Sequence, residues 1–263
     1  MQARSALFDL YGDHLRHRGG TAPVAALVEL LGPLDIAAPA VRTAVSRMVR
    51  QGWLIPVATV AGRGYGLTDR ATRRLDEAAV RIYRSQAAEA WDGQWSVALV
   101  SHSPQRSTRE RVQRALEYLG YRQLQPDSWV SPRSAAEMES VVAAEGLTVV
   151  EFHAVPRRDD RELVERLYRP RELAASYQQW LDEARALVGP AGPEPPDESA
   201  FAVRSRLVHE WRKFLFRDPG LPRALLPADW PGEEAAAYFD AESTRLLPGA
   251  ASYVECCLNR RVS

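Results

Sequence analysis

The chain has 263 residues, room for two or three small domains, and its 34 basic and 34 acidic residues give a formal net charge of zero. That balance excludes a global polycation, so any affinity for nucleic acid must be local. The hydrophobic share, 46%, is ordinary for a globular protein, and no run approaches the ~18 apolar residues that span a membrane, so no membrane partner is expected.

The first residues, Met-Gln-Ala-Arg-Ser-Ala-Leu-Phe-Asp, lack the apolar core of a signal peptide. The only cysteines are the neighbours Cys256 and Cys257, which build no disulfide framework and are expected to form a buried, small apolar pair. A reducing cytoplasm is the simplest setting.

In chain order, residues 5–16 read as a helix with Leu7, Leu10, Tyr11 and Leu15 inward, and residues 24–31 as a second. A third follows in Pro39-Ala-Val-Arg-Thr-Ala-Val-Ser-Arg-Met-Val-Arg-Gln-Gly-Trp53. Val41, Val45, Met48 and Val49 recur at i, i+4, i+7 and i+8 as one buried stripe. Arg42, Thr43, Ser46, Arg47 and Arg50 lie opposite, a face suited to a phosphate-lined major groove. A solvated amphipathic helix would carry the same stripe. Pro39 fits the first turn and Gly52 a left-handed end, although Ala37 and Ala38 offer no capping side chain.

Residues 53–60 then read as a strand, 61–64 as a tight turn and 65–67 as a returning strand. Arg63 sits at the tip of that hairpin, flanked by Gly62 and Gly64, with Tyr65 either packing on the hairpin or touching a sugar-phosphate backbone. Three helices and a hairpin make a winged helix-turn-helix, whose third helix enters the major groove. Between residues 40 and 74 the charges are seven arginines against Asp69. Since Lys213 is the only lysine, arginine is the default cation everywhere, and the uneven distribution says more than the count.

A helix is expected over 68–89. An alternation follows: strand 95–100, helix 109–119, short strands at 121–124 and 128–131, helix 134–145 opened by a Ser134-x-x-Glu137 capping box, and strand 147–153. The order βαββαβ is the ferredoxin-like arrangement. Its apolar strands leave a sheet face or edge to be covered by the next helix or by a second subunit, so a homodimer is expected. Residues 160–188 read as helix interrupted at Pro170, 189–197 as a Pro-rich loop, and 199–258 as mainly helical, its first helix burying Val203, Leu207, Val208, Trp211 and Leu215. The fold class is therefore α+β. The expected domains are a DNA-binding winged helix-turn-helix with its connecting helix at 1–88, a ferredoxin-like dimerisation module at 89–158, and a helical domain at 159–263.

The residues resemble those of the PaaX-type regulators, the repressor class of bacterial phenylacetic acid catabolism, along nearly the whole chain. The resemblance is carried by Leu10-Tyr-Gly-Asp13 with Arg18-Gly-Gly20, by Val41-Arg-Thr-Ala-Val-Ser-Arg47 running into Gly52-Trp-Leu54, and by Trp91-Asp-Gly-Gln-Trp95, Leu119-Gly-Tyr121 and Trp129-Val-Ser-Pro132. Phe216-Arg-Asp-Pro-Gly-Leu-Pro222 and Leu226-Pro-Ala-Asp-Trp-Pro231 complete it. It implies a dimeric repressor on double-stranded DNA with a palindromic operator, released by an aryl-CoA thioester such as phenylacetyl-CoA. Tyr177, Trp180, His209, Trp211, Arg212 and Trp230 are candidates to hold such an effector, since it needs an apolar slot for its ring and cations for its phosphates. The same aromatics would serve equally as helix-packing core.

An enzyme is not expected. The alternative is a metal-dependent nuclease or RNA-processing enzyme on the ferredoxin-like module, which resembles small CRISPR-associated nucleases that place an Asp at the end of the first strand. Here that strand ends Leu99-Val-Ser-His102, without a carboxylate. No Cys/His spacing matches a zinc site, His14 and His17 read as a solvated helix pair, and no cofactor motif occurs.

Overall fold

The computed structural model describes residues 1–82, 91–156, 160–190 and 195–260. It is a mixed α/β protein with two antiparallel sheets, and the chain divides into two compact units. One takes residues 1–86 with 179–213 and 233–263, the other residues 87–178 with 214–232.

In the first unit, α1 (Ala3–Leu10) runs into a π-helical turn, Tyr11–Leu15, and a 3-10 turn, Arg16–Arg18. The expected single helix over 5–16 is thus widened midway, and the wide turn directs Tyr11, His14 and Leu15 inward. A three-residue strand, β1 (Thr21–Pro23), precedes α2 (Val24–Leu31) and α3 (Ala38–Arg50). Then come β2 (Leu54–Thr59) and β3 (Gly62–Leu67), in the sheet order β1-β3-β2. Pro56 lies in the outer strand β2, where a missing ladder N–H is tolerated. Next is α4 (Asp69–Ile82); the remainder of the helix expected to reach residue 89 lies outside the described residues.

The core of this unit joins distant segments. Leu7, Leu10, Leu27, Leu30, Val41, Val45 and Met48 pack with Phe201, Ala250 and Val254. The latter belong to α9 (Asp197–Trp211) and α10 (Gly232–Asn259). Charge fixes the docking of α9. Arg204, buried among apolar side chains, grips Asp13 with two bonds, Nε to Oδ2 at 2.9 Å and Nη2 to Oδ1 at 2.7 Å, and donates a third to the Ser243 carbonyl of α10. One turn on, His209 Nδ1 lies 2.6 Å from Asp9 Oδ2, and Arg212 pairs with Oδ1 of the same carboxylate. Burial pushes the Asp9 carboxyl above its ordinary value, against the pull of His209 and Arg212. Arg206 adds an exposed bond to Asp35 at 2.9 Å.

Two expectations fail here. His14 is not a solvated partner of His17: it is buried at 1% exposure against Phe201, and neither ring nitrogen has a hydrogen bond. The wide turn rotates it inward, away from the helix surface. Cys257 is buried but Cys256 is exposed, because adjacent positions on a helix lie about 100° apart.

The second unit carries β4 (Trp95–Val100), α5 (Arg106–Tyr118), β5 (Arg122–Gln125), β6 (Ser128–Ser131), α6 (Met138–Ala143) and β7 (Val149–Ala154), in the sheet order β5-β6-β4-β7. After them come α7 (Asp160–Tyr168) and α8 (Pro170–Val188), broken where Arg169 takes φ 48° before Pro170. Ala98, Val100 and Trp129 pack with Val112, Leu116 and Val142 on one sheet face; Trp95 and Val130 pack with Val164, Tyr168 and Leu221 on the other.

The expected capping box does not form. Helix α6 starts at Met138 with Glu137 as its N-cap and no side-chain cap. The Ser134 hydroxyl instead bonds the Glu151 carboxylate, joined there by Ser96 and by Tyr121 at 3.0 Å. Partial burial works against ionisation of Glu151, but these bonds outweigh it and hold the carboxyl below its ordinary value.

On the second sheet face, β4 and β7 place Val97 opposite Phe152 and Leu99 opposite Val150. This part is uncovered: Leu99 is 44% exposed, Val150 55%, Phe152 53% and the following Val155 70%. Strand β7 is also an edge, so an apolar patch and a free backbone ladder coincide.

Arg204→Ala leaves Asp13 buried without its cation and is expected to cost about 3–5 kcal/mol in chemical denaturation. The Arg204→Met, Asp13→Leu double variant removes both charges and should recover most of that loss; equal destabilisation of the two variants would contradict a charge-driven docking. A second outcome follows from His14. Burial, aided by the Arg204 charge and opposed by Asp13, keeps its pKa below 6.5 in the folded state, whereas the unfolded chain takes up this proton near pH 6.5. Stability is therefore lost as pH falls below 6.5, by at most about 1.4 kcal/mol per pH unit until the folded state also protonates. His14→Phe should flatten urea midpoints measured between pH 6.5 and 5.5.

Candidate nucleic-acid interface

Helix α3 presents its two faces as the periodicity predicts. Val41, Ala44, Val45 and Met48 are buried, while Arg42, Thr43, Ser46, Arg47 and Arg50 are exposed. The Thr43 hydroxyl donates to the Pro39 carbonyl at 2.9 Å. No acidic residue lies on the helix. Among the described residues, no hydrogen bond or ion pair engages the side chains of Arg42, Arg47, Arg50 or Arg63. Elsewhere in the unit, Arg16, Arg204, Arg206, Arg212 and Arg260 each hold a carboxylate. The exposed face of α3 is thus a set of cations left unneutralised by the protein itself.

The β2–β3 hairpin turns at Val60-Ala61, with Thr59 paired to Gly62 and Ala58 to Arg63. Arg63, expected at the tip of a 61–64 turn, is instead the second residue of β3, exposed and paired with Ala58, because the ladder extends to Gly62. The two flanking glycines differ in role. Gly62 has φ 106° and open space around it, so it serves the turn. A Cβ on Gly64 would lie 2.5 Å from Thr59 Cγ2 and 2.6 Å from the Ala22 carbonyl oxygen, so Gly64 serves the packing of β3 between its neighbours. Tyr65 is half-buried against the core, and its carbonyl accepts the Tyr11 hydroxyl at 2.9 Å.

Below the helix, Arg70 lies 4.7 Å from the Trp53 ring centre, and Trp53 meets Phe8 edge-on at 5.1 Å. That stack was not foreseen; an aromatic one residue past the glycine that ends α3 is its only sequence signal.

The six aromatic and cationic candidates for an effector are divided between the two units. In the second, Tyr177 stacks on Phe214 with ring centres 4.0 Å apart, meets Trp230 edge-on at 5.4 Å, and donates its hydroxyl to Asp218 at 2.5 Å. In the first, Trp180 and Trp211 pack with Phe239, and the Trp211 indole N–H donates to the Ile82 carbonyl at 3.1 Å. His209 and Arg212 hold Asp9. All six are engaged in packing or ion pairing.

At the end of β4, the Ser101 hydroxyl accepts the Thr148 backbone N–H at 3.0 Å and His102 meets Asp127 at 3.0 Å. Among the described residues no cluster of three His, Cys, Asp or Glu could hold a metal ion, and no helix is long and apolar enough to cross a membrane.

Three family descriptions match in succession: PaaX-like protein over residues 2–71, PaaX protein central Cas2-like domain over 88–164, and PaaX-like protein C-terminal domain over 168–256. A relative in Escherichia coli (strain K12), the transcriptional repressor PaaX, is 33% identical over 262 residues, covering 95% of this chain and 82% of that protein. The structure of the uncharacterized protein Rv0674 from Mycobacterium tuberculosis matches with a TM-score of 0.62 over 97% of this chain and 98% of that one, at 24% identity, a likeness of fold alone. With three PaaX segments matched in order and a relative aligned along nearly the whole length, this chain belongs to the PaaX-like family.

Proposed function

We propose that this chain is a transcriptional repressor that binds a palindromic operator as a homodimer and is released by an aryl-CoA thioester. It acts by binding rather than by catalysis. The observation that carries the reading is α3: five polar side chains exposed on one face, three of them arginines with no partner. The first unit is read as a winged helix-turn-helix with α3 as recognition helix and the β2–β3 hairpin as wing; the βαββαβ run of the second is read as ferredoxin-like. The related repressor supports the regulatory role.

The dimer is assigned to strand β7 and the patch of Leu99, Val150, Phe152 and Val155. An apolar edge strand exposed to water invites pairing with a second copy. Two joined subunits present two recognition helices to two half-sites, which is what a palindrome requires. The aryl-CoA class is our reading of the family resemblance, and the aromatic clusters around Tyr177 and Trp211 offer apolar surface for its ring. Because those side chains are engaged, ligand entry has to exchange existing contacts for new ones. That exchange gives a ligand different affinities for two states, the condition for shifting DNA occupancy.

Gel shifts test the reading. With duplex from the chromosomal region upstream of its own reading frame, the Arg42→Ala, Arg47→Ala double variant should lose about 1–3 kcal/mol for each bidentate base contact removed. Arg50→Ala should weaken binding to all sequences and flatten the salt dependence, and Arg63→Ala should lower affinity with little change in fold. Phenylacetyl-CoA, but neither phenylacetate nor CoA, should release the wild-type complex. Unchanged affinity in the double variant would remove α3 from the interface. For assembly, light scattering should give a dimeric mass for the wild type and a monomeric one for the Val150→Asp, Phe152→Asp variant with unaltered circular dichroism. A monomeric wild type would contradict the dimer.

A further inference from the structure

The hairpin tip carries a feature that the arginines do not explain. Val60 is exposed at 107%, more than any other large apolar side chain among the described residues. Valine also runs against turn chemistry, where Gly, Asn, Asp, Ser and Pro each have a local reason to occur. A local rule broken without a structural return marks a position set by function. Nothing in the fold uses this side chain, yet the turn that presents it is firmly built. The Thr59 hydroxyl donates to the Gly62 carbonyl at 2.8 Å across the turn, and Gly62 supplies the left-handed residue. Arg63, exposed and without a partner, stands beside it.

We propose that the wing tip enters the minor groove beside the site read by α3, with Val60 as an apolar wedge against the groove walls and Arg63 reaching the negative potential along its floor. The inference rests on the DNA-binding reading and extends it to a determinant of sequence preference. An isopropyl group gains nothing from phosphates, which are hydrated and charged. It gains contact with the deoxyribose C–H surfaces that wall the minor groove, a site where apolar wedges beside arginine recur. The guanine N2 amino group projects into that groove and obstructs such a tip, whereas A·T pairs leave it open. Val60 therefore confers a preference for A·T-rich steps at positions that α3 does not read.

Three polymers separate the grooves. Poly(dI-dC) shows the major-groove pattern of poly(dG-dC) but lacks the minor-groove amino group, as poly(dA-dT) does. The full-length protein, titrated at low salt, should bind poly(dI-dC) and poly(dA-dT) about fivefold tighter than poly(dG-dC). Val60→Ser, checked for folding by circular dichroism, should bind all three within about twofold of one another while keeping the salt slope of the wild type. Equal wild-type affinity for poly(dI-dC) and poly(dG-dC), or a preference that survives in Val60→Ser, overturns the wedge and leaves DNA binding intact. Absence of salt-sensitive binding to any of the three overturns the DNA reading and the wedge with it.

Discussion

Two carboxylates on the inward side of the N-terminal helix set the terms for half of this protein. Asp9 is buried and the side chain of Asp13 is only 6% exposed, and a buried carboxylate without a partner costs several kcal/mol. The chain meets that demand from about 190–200 residues away, with Arg204, His209 and Arg212. Once these cations are placed, the register of α9 is fixed to within one helical turn. Phe201, Leu207, Val208 and Trp211 then fall against apolar neighbours, and α10 is held through the Ser243 carbonyl. Hydrophobic contact alone would tolerate a slide along the helix; the ion pairs do not.

Arginine thereby serves two opposite ends in one unit. Where the guanidinium meets a carboxylate it builds the fold; where none is within reach it stays available to an external anion. A chain with one lysine cannot separate these roles by residue type. It separates them by where the acidic residues are withheld: α3 has none, and Asp69 was the only one foreseen near it. The low net charge is compatible with nucleic-acid binding for this reason. Neutrality is a sum over the chain, while phosphate attraction falls off within a Debye length.

The elements that read clearly from sequence are those whose signal is local. The stripe of α3 and its glycine end were legible, as were the hairpin, the break at Pro170 and the βαββαβ order, because periodicity and turn residues act over a few positions. Strand β1 was not, since three residues show no alternation and it exists only through pairing with Gly64–Gly66. Ser134 and Glu137 fitted a capping box by spacing, but the Glu151 carboxylate competed for the serine hydroxyl from another strand. Arg204 sits on an apolar helix face that periodicity would give to a leucine, and its partner is 191 positions away. Of the proposed interface, the exposed polar side chains of α3 could be named from sequence. The division of labour between Gly62 and Gly64 could not, since it depends on how closely Thr59 and Ala22 approach. The aromatics of the C-terminal third fitted an effector slot or helix-packing core, and which ring meets which was a matter of tertiary packing.

The dependence of the first unit on α9 and α10 has a consequence for how the protein is made. Its core contains Phe201, Ala202, Ala250, Val254 and Cys257, so the segment carrying α3 cannot complete its interior when it leaves the ribosome. At about 5–20 residues per second, the interval between synthesis of residue 82 and of residue 257 is roughly 10–35 s. Throughout it, Leu7, Leu10 and their neighbours face solvent, and Asp9 and Asp13 are drawn toward water rather than inward. The core of this unit is therefore complete only when α10 has been synthesised. A ribosome that stops early releases a polypeptide bearing all of α3 but lacking the far-end cations that pair with Asp9 and Asp13.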